Sequence, residues 1–496
     1  MTTLVLALSM TLFATQQASP CESVRALSLP NTTITSVQLL PPGPYTSQSA
    51  GGRPVTGPML PEHCRVAAIL KPSADSHIEM EIWLPAKNWN GKFLAVGNGS
   101  WAGSISLSAI AEGVGEGYAA ASTDTGHKGD TAEFAIGHPE RLTDFAYRSI
   151  HEMTVRSKDI IQKFYNRAPS RSYFDGCSTG GWQGLAEAQR YSADFDAIVV
   201  GAPVYRRIHL HAQELRKVLE VSKDENRYVS PDKIQMVAKA VTASCDANDG
   251  VVDGLINNPQ TCRFEPKTLA CSGSGGDNCL TPGQVASLER AYGPTYTKAG
   301  EFVYPGHARG FELGWRMPEP GGGPRPTPPM SFAHLGHGDP KWDWKTFDLD
   351  EDLALAVKNG GVIEAANPDL SAFKARGGKL IIYHGWNDPG PSPLDTIQYH
   401  NSVMDKMGPN QESWMRLFML PGVGHCGGGA GPDQANFLGA LERWVESGIA
   451  PDRITASKVT NGKIVMTRPL CPYPQVAKWR GVGSTNEAEN FVCSAP

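Results

Sequence analysis

The sequence predicts an α/β fold, a largely parallel sheet covered by helices, with one large insertion. Short apolar runs recur at 77–84 (HIEMEIWL), 92–96 (KFLAV), 118–122 (YAAAS), 171–175 (RSYFD), 196–200 (DAIVV), 379–383 (KLIIY) and 414–420 (WMRLFML). Runs this short and this apolar suit strands buried on both faces, as in parallel sheets. Between them lie helical patterns at 142–166 and 182–191, and 434–447 reads as a closing helix. Such alternation places helices on the sheet faces. It breaks between about 203 and 377, where cysteine-bracketed loops, a Pro/Gly-rich stretch at 318–329 and many aromatics take over. A structureless loop of that size is implausible in a compact domain. Residues 204–376 are therefore expected to form an inserted domain, with 21–203 and 377–496 building the sheet domain.

Composition narrows the function. Lys+Arg 45 against Asp+Glu 50 leaves a net charge of −5, which rules out the basic surface of a nucleic-acid-binding protein. Residues 4–14 (LVLALSMTLFA) are apolar, followed by small and polar residues, with no Lys or Arg ahead of them. The run is too short to span a bilayer, and 1–20 reads as an export signal. No later segment reaches transmembrane length, so a secreted or periplasmic protein without a membrane partner is expected. The 10 cysteines agree, since an even set is typical where disulfides persist. Spacing suggests Cys21 with Cys64, Cys245 with Cys262, Cys271 with Cys279, and Cys471 with Cys493, leaving Cys177 and Cys426. None has zinc-site spacing.

Gly176-Cys177-Ser178-Thr179-Gly180 follows the run 171–175 and precedes a helical pattern. A G-x-S-x-G between strand and helix is a nucleophile elbow, in which a strained turn exposes the serine hydroxyl. Serine needs a base oriented by a third group, and in α/β-hydrolases the chain order is Ser, Asp or Glu, His. Asp388 follows the run 379–383 and His425 follows 414–420, both just past the carboxyl ends of strands, where such sheets bind ligands. Asp395 and His384 are the alternatives for acid and base. Cys177 adjoins Ser178 and Cys426 adjoins His425. If serine and imidazole lie within about 3 Å, their neighbours come within disulfide range, roughly 5.5–6 Å between Cα atoms. A Cys177–Cys426 bond would staple nucleophile to base and rule out a thiol enzyme using Cys177. Oxyanion donors are expected from Thr179 N–H and from the early loop Gly97-Asn98-Gly99-Ser100, at Gly99 or Ser100.

Residues 245–255 pack Asp246, Asp249 and Asp253 with Gly250 and Gly254 beside Cys245. Hard oxygen ligands on a glycine-bent loop suit Ca²⁺, although Asn257 stands where an EF-hand would need Glu. A solvated acidic turn is the bland alternative. A cation there would hold the lid, away from the chemistry.

Together, Gly176-Cys177-Ser178-Thr179-Gly180-Gly181, Asp388 and His425-Cys426 resemble the tannase/feruloyl esterase family, which also includes an esterase that cleaves mono(hydroxyethyl) terephthalate. The resemblance runs from Cys21 through Cys493. It implies an α/β-hydrolase fold with a large lid domain, a triad of Ser178, Asp388 and His425, and a disulfide bridging their neighbouring cysteines. It also implies calcium held by the side chains of Asp246, Asp249 and Asp253 and the carbonyls of Val251 and Leu255. Asn98 and Ser100 interrupt the glycine run of some members, and Pro389-Gly390-Pro391 follows the acid. The expectation is a secreted serine esterase acting on small aromatic esters: feruloyl or related hydroxycinnamoyl, galloyl, or a terephthalate half-ester. Trp315, Phe332 and Trp342 are candidates to stack on the ring. A catalytically silent, calcium-stabilised binding protein is the alternative of another class.

Overall fold

The computed structural model describes residues 20–48, 54–101, 103–273 and 276–496. The expected export segment falls outside these residues except for Pro20, which opens the short helix Pro20–Arg25.

A nine-stranded sheet organises the chain. In chain order its strands are β1 (Thr32–Leu40), β2 (His63–Leu70), β3 (Ile78–Pro85), β4 (Lys92–Val96), β5 (Ala119–Thr123), β6 (Arg171–Cys177), β7 (Ala197–Gly201), β8 (Lys379–Gly385) and β9 (Met415–Leu420). Their spatial order is β1-β2-β3-β5-β4-β6-β7-β8-β9. From β5 onward every pairing is parallel, whereas β1, β2 and β3 pair antiparallel with their neighbours. The sequence reading found the parallel part and missed β1 and β2. The edge strand β1 keeps much of its surface in solvent, so it lacks the apolar run that marks a strand buried on both faces.

Side chains alternate between the two sheet faces. Phe93 and Ala95 of β4 and Leu380 and Ile382 of β8 join the core on one face, while Leu94, Val96 and Ile381 join the core on the other. Burying one such Phe or Leu contributes about 1.5–3 kcal/mol. Helices cover both faces, among them α1 (Leu107–Gly115), α2 (Ser149–Tyr165), α3 (Thr179–Arg190) and, closing the second face, Phe437–Ser447. The expected helix at 142–166 is divided by a wider π-type turn at Asp144–Arg148. The one at 434–447 starts later, because Gln434–Ala435 pairs with Ile454–Thr460 as a strand.

Residues 202–378 add no strand to the large sheet. Their first helix, α4 (Arg207–Lys223), packs into the sheet's own core through Ile208 and Leu215, as do Tyr304 and Phe332. A second core of Val237, Val241, Leu288, Phe311 and Trp315 lies wholly inside this segment.

Candidate active site

Ser178 stands between the end of β6 and the start of α3, with φ 64° and ψ −118°. That left-handed backbone is costly for a serine and persists only where the surroundings over-determine it. Here close packing does so. A Cβ on Gly176 would lie 2.6 Å from the Gly180 backbone, and one on Gly181 only 2.2 Å from the Gly201 carbonyl oxygen. Ser178 N–H in turn donates to that Gly201 carbonyl (2.9 Å), tying the turn to β7.

Asp388 and His425 follow β8 and β9, so the same end of the sheet supplies all three side chains. Ser178 Oγ–H donates to His425 Nε2 (2.8 Å), and His425 Nδ1–H donates to Asp388 Oδ2 (2.6 Å). Asp388 is completely buried. Its Oδ2 also accepts from His384 Nε2–H (3.0 Å) and its Oδ1 from Gly390 N–H (2.8 Å). Burial alone would raise this carboxyl, but the hydrogen bonds from His384 and His425 outweigh it and bring it down to about 2. Burial alone would lower His425, but the hydrogen bond and charge of Asp388 hold it above its ordinary value. The arrangement can therefore hold a base that accepts a proton from the serine and stabilise the imidazolium that results.

The alternative acid and base are engaged elsewhere. His384 lies behind Asp388 and takes the Thr396 hydroxyl on Nδ1 (2.7 Å). Asp395 is buried against Arg206 and the Tyr205 hydroxyl. Cys177 and Cys426 are disulfide-bonded with Cα atoms 5.9 Å apart, so no thiol stands beside Ser178. The other bonds are Cys21–Cys64, Cys245–Cys262, Cys271–Cys279 and Cys471–Cys493.

The early loop lies against the elbow. Gly180 N–H donates to the Asn98 carbonyl (2.8 Å), and Gln183 accepts from Asn98 N–H (3.0 Å). Asn98 Nδ2 donates to the Ser104 and Thr123 carbonyls (both 2.8 Å). Asn98, which interrupts the glycine run, is thus the loop's buried anchor. Thr179 N–H and Gly99 N–H have no acceptor among the described residues. Gln183 escaped the sequence reading because a polar residue in a helical pattern looks solvated until the helix is seen to be buried.

A cavity of about 310 Å³ is lined by Trp315, Met317, Lys217, Glu214, Arg325 and Pro389, among others. Pro389 connects it to Asp388, and the charges of Glu214 and Arg325 reach His425. Of the three aromatics expected to face a ligand ring, only Trp315 lines this cavity. Phe332 is fully buried against Phe347 (4.8 Å between rings), and Trp342 stacks on His337 (5.2 Å). Both are packing residues, because the segment that carries them shares the core of the sheet domain.

The acidic loop follows Pro231–Cys245 and turns at Gly250 (φ 86°) and Gly254 (φ 81°). Asp246 accepts from Asp253 N–H (3.2 Å) and Gly254 N–H (3.0 Å), Asp249 from Val251 N–H (2.9 Å), and Asp253 from Leu255 N–H (3.1 Å). Arg468 pairs with Asp253. Burial, reinforced by Asp253 and Asp246, pushes the Asp249 carboxyl up to about 6. Among the described residues, no group of three or more His, Cys, Asp or Glu is arranged to hold a metal ion. The loop is also nearer the site than expected. A Cβ on Gly422, in the turn leading to His425, would lie 2.5 Å from the Leu255 side chain.

Known proteins share this architecture. The family model described as tannase and feruloyl esterase matches residues 64–322 and 332–494. An uncharacterized esterase of Xanthomonas campestris pv. campestris is 36% identical over 97% of this chain and 92% of its own. A probable feruloyl esterase B-1 of Aspergillus terreus is 34% identical over 87% of this chain and 86% of its own. Among solved structures, feruloyl esterase B from Aspergillus oryzae superposes with a TM-score of 0.89 at 30% identity, covering 96% of this chain and 99% of that one. The tannin acyl hydrolase from Aspergillus niger, at 22% identity and a TM-score of 0.78 over 96% of this chain and 95% of its own, shares the fold.

Proposed function

The chain belongs to the tannase and feruloyl esterase family and is a carboxylic ester hydrolase, and we propose that it cleaves aromatic acyl esters through an acyl-enzyme on Ser178. The observation that carries this reading is the pair of hydrogen bonds through which His425 joins Ser178 Oγ (2.8 Å) to Asp388 (2.6 Å). Ser178 Oγ attacks the ester carbonyl carbon as His425 Nε2 takes its proton. Negative charge then develops on the carbonyl oxygen, beside the Thr179 and Gly99 N–H groups. One such donor is worth about 2.7–4 kcal/mol in the transition state. Imidazolium returns the proton to the departing alcohol. Water, activated by the same histidine, then releases the acid. Asp388 keeps the imidazole oriented throughout.

The acyl ring is placed in the cavity walled by Trp315, Met317 and Pro389, whose volume suits a small ligand. Feruloyl and related hydroxycinnamoyl groups or galloyl groups are the first choice. In a wall where Glu214 already pairs with Arg325, the remaining Lys217 cation favours, as a second reading, an acyl group bearing a carboxylate such as a terephthalate half-ester. Residues 204–376 are read as the lid, since they supply most of this wall. We further read the acidic loop as a structural calcium site using Asp246, Asp249 and Asp253 and the Val251 and Leu255 carbonyls. The donor set supports this. Three hard carboxylates crowd a glycine-bent loop and face a single arginine, a repulsion that a dication would relieve. Five disulfides favour an oxidising, extracellular or periplasmic location.

Steady-state assays on methyl ferulate, methyl gallate and the terephthalate half-ester, run with wild type and Ser178→Ala, test the reading. Turnover of at least one by wild type and none by the variant is expected. Cleavage of p-nitrophenyl acetate but none of the three would discard the aromatic class, unchanged turnover by Ser178→Ala would discard the triad, and no turnover of any ester by wild type would leave the silent binding protein.

A further inference from the structure

Next to the nucleophile turn sits a buried cation without a salt-bridge partner among the described residues. Arg207, at the start of α4, is 3% exposed, and no carboxylate lies within ion-pair distance of it among the described residues, Asp130 acting on it only from farther off. Its guanidinium lies 4.5 Å from the Trp101 ring centroid, 5.4 Å from Trp182 and 5.8 Å from Phe145. Nη2 donates to Thr179 Oγ1 (2.6 Å), and that hydroxyl donates to the Ser100 carbonyl (2.7 Å). Nε has no acceptor among the described residues. Burial pushes the group down to about 9, which leaves it charged at neutral pH. Removing a charge from water is costly unless something offsets it, and the aromatic faces return only part of that cost. A residue held at such a cost calls for a role in the chemistry next to it.

That chemistry is one bond away. Thr179 and the Gly99–Ser100 segment are the two sources of oxyanion donors, and the Thr179 hydroxyl bridges them. Ser100 adopts a left-handed φ of 52°, a conformation a non-glycine residue keeps only when held. We propose that Arg207 is a positioning residue for the oxyanion site, locking its two donor segments together through Thr179 Oγ1 and the Ser100 carbonyl and fixing a positive charge one residue from the nucleophile. The proposal rests on the reading of Ser178 as nucleophile.

The test uses two readouts on the full chain: kcat and KM for p-nitrophenyl acetate, and the rate at which a p-nitrophenyl phosphonate labels Ser178, followed by mass spectrometry. Thr179→Val keeps the N–H and the shape but removes the bridging hydroxyl. It and Arg207→Met should each lower kcat and the labelling rate by about tenfold to a hundredfold, below the full loss of one donor. KM should stay within about threefold. The double variant should be no worse than the poorer single, because both cut one link. Thr179→Ser should restore most of the rate. If Arg207→Met fails to fold, Thr179→Val decides. A folded Thr179→Val with wild-type kcat and labelling rate, a loss confined to KM, or additive losses would overturn the proposal. Wild-type protein left unlabelled at Ser178 would instead overturn the nucleophile reading beneath it.

Discussion

Two disulfide-stapled corners of this molecule touch each other yet are built on opposite principles. Cys177–Cys426 joins residues 249 apart in the chain and clamps Ser178 against His425. Cys245–Cys262 spans 17 residues and clasps the acidic loop. Chain entropy makes the long closure the costlier one to form unaided, so its bond removes about 5 kcal/mol of unfolded-state freedom against about 3 kcal/mol for the short one. The first corner depends on the sheet, because strands adjacent in space deliver residues remote in sequence. The second is largely local, with carboxylates taken up by backbone N–H groups two to eight residues away. A site assembled over long range needs its scaffold to function, whereas a local loop mainly stabilises whatever it leans on. Here the loop leans, through Leu255 and Gly422, on the turn that carries His425.

The largest effect that could break this contrast belongs to Ser178→Ala, which should lower kcat by about 10⁴-fold or more on any ester the enzyme accepts, with Tm unchanged. Asp388→Asn should cost about 10³–10⁴-fold by leaving the imidazole misoriented. It should also move the acid limb of the pH–rate profile. His425 must be neutral to act as base, and Asp388 holds its pKa above the ordinary value. In wild type, kcat/KM should therefore rise with pH through a midpoint above roughly 6.5, and the variant's midpoint should be lower. The same shift has a stability counterpart. The charged His425–Asp388 pair stabilises the fold fully below the ordinary histidine pKa, and that contribution fades as pH rises through the folded value.

Removing the long staple with Cys177→Ala/Cys426→Ala should lower unfolding free energy by about 3–5 kcal/mol and kcat by tenfold or more. Removing the short one with Cys245→Ala/Cys262→Ala should cost about 3 kcal/mol while kcat of the folded protein stays within about threefold. Denaturant unfolding paired with steady-state assays checks both, and equal kcat losses would erase the distinction. Smallest is the effect of chelation. At calcium a hundredfold above Kd the bound ion stabilises by about 2.7 kcal/mol, so EGTA should lower Tm and added calcium restore it, with little change in kcat. A Tm indifferent to both would remove the ion from the acidic loop.

Much of the candidate site could be read from local patterns. The elbow 176–180 needs glycines because backbone approaches backbone there, and sequence displays that need directly. Asp388 and His425 stand just beyond apolar runs, and strand ends are where such sheets carry chemistry. Buried parallel strands announce themselves by uninterrupted apolar residues, which the half-exposed β1 lacks. Phe332 and Trp342 misled because an aromatic in an irregular segment looks the same whether it faces a ligand or a core.

The order of residues along the chain thus set the buried parallel strands, the elbow, the triad candidates and the cysteine partners, since each rests on short-range periodicity or on one geometric constraint between neighbours. Folding alone settled that His384 backs Asp388, that Asn98 anchors the early loop through Gln183, that the acidic loop abuts the histidine turn, and that Arg207 reaches Thr179. Those contacts join segments with no pattern in common, and they exist because packing two faces of one sheet brings buried polar groups within reach of partners that no local sequence could name.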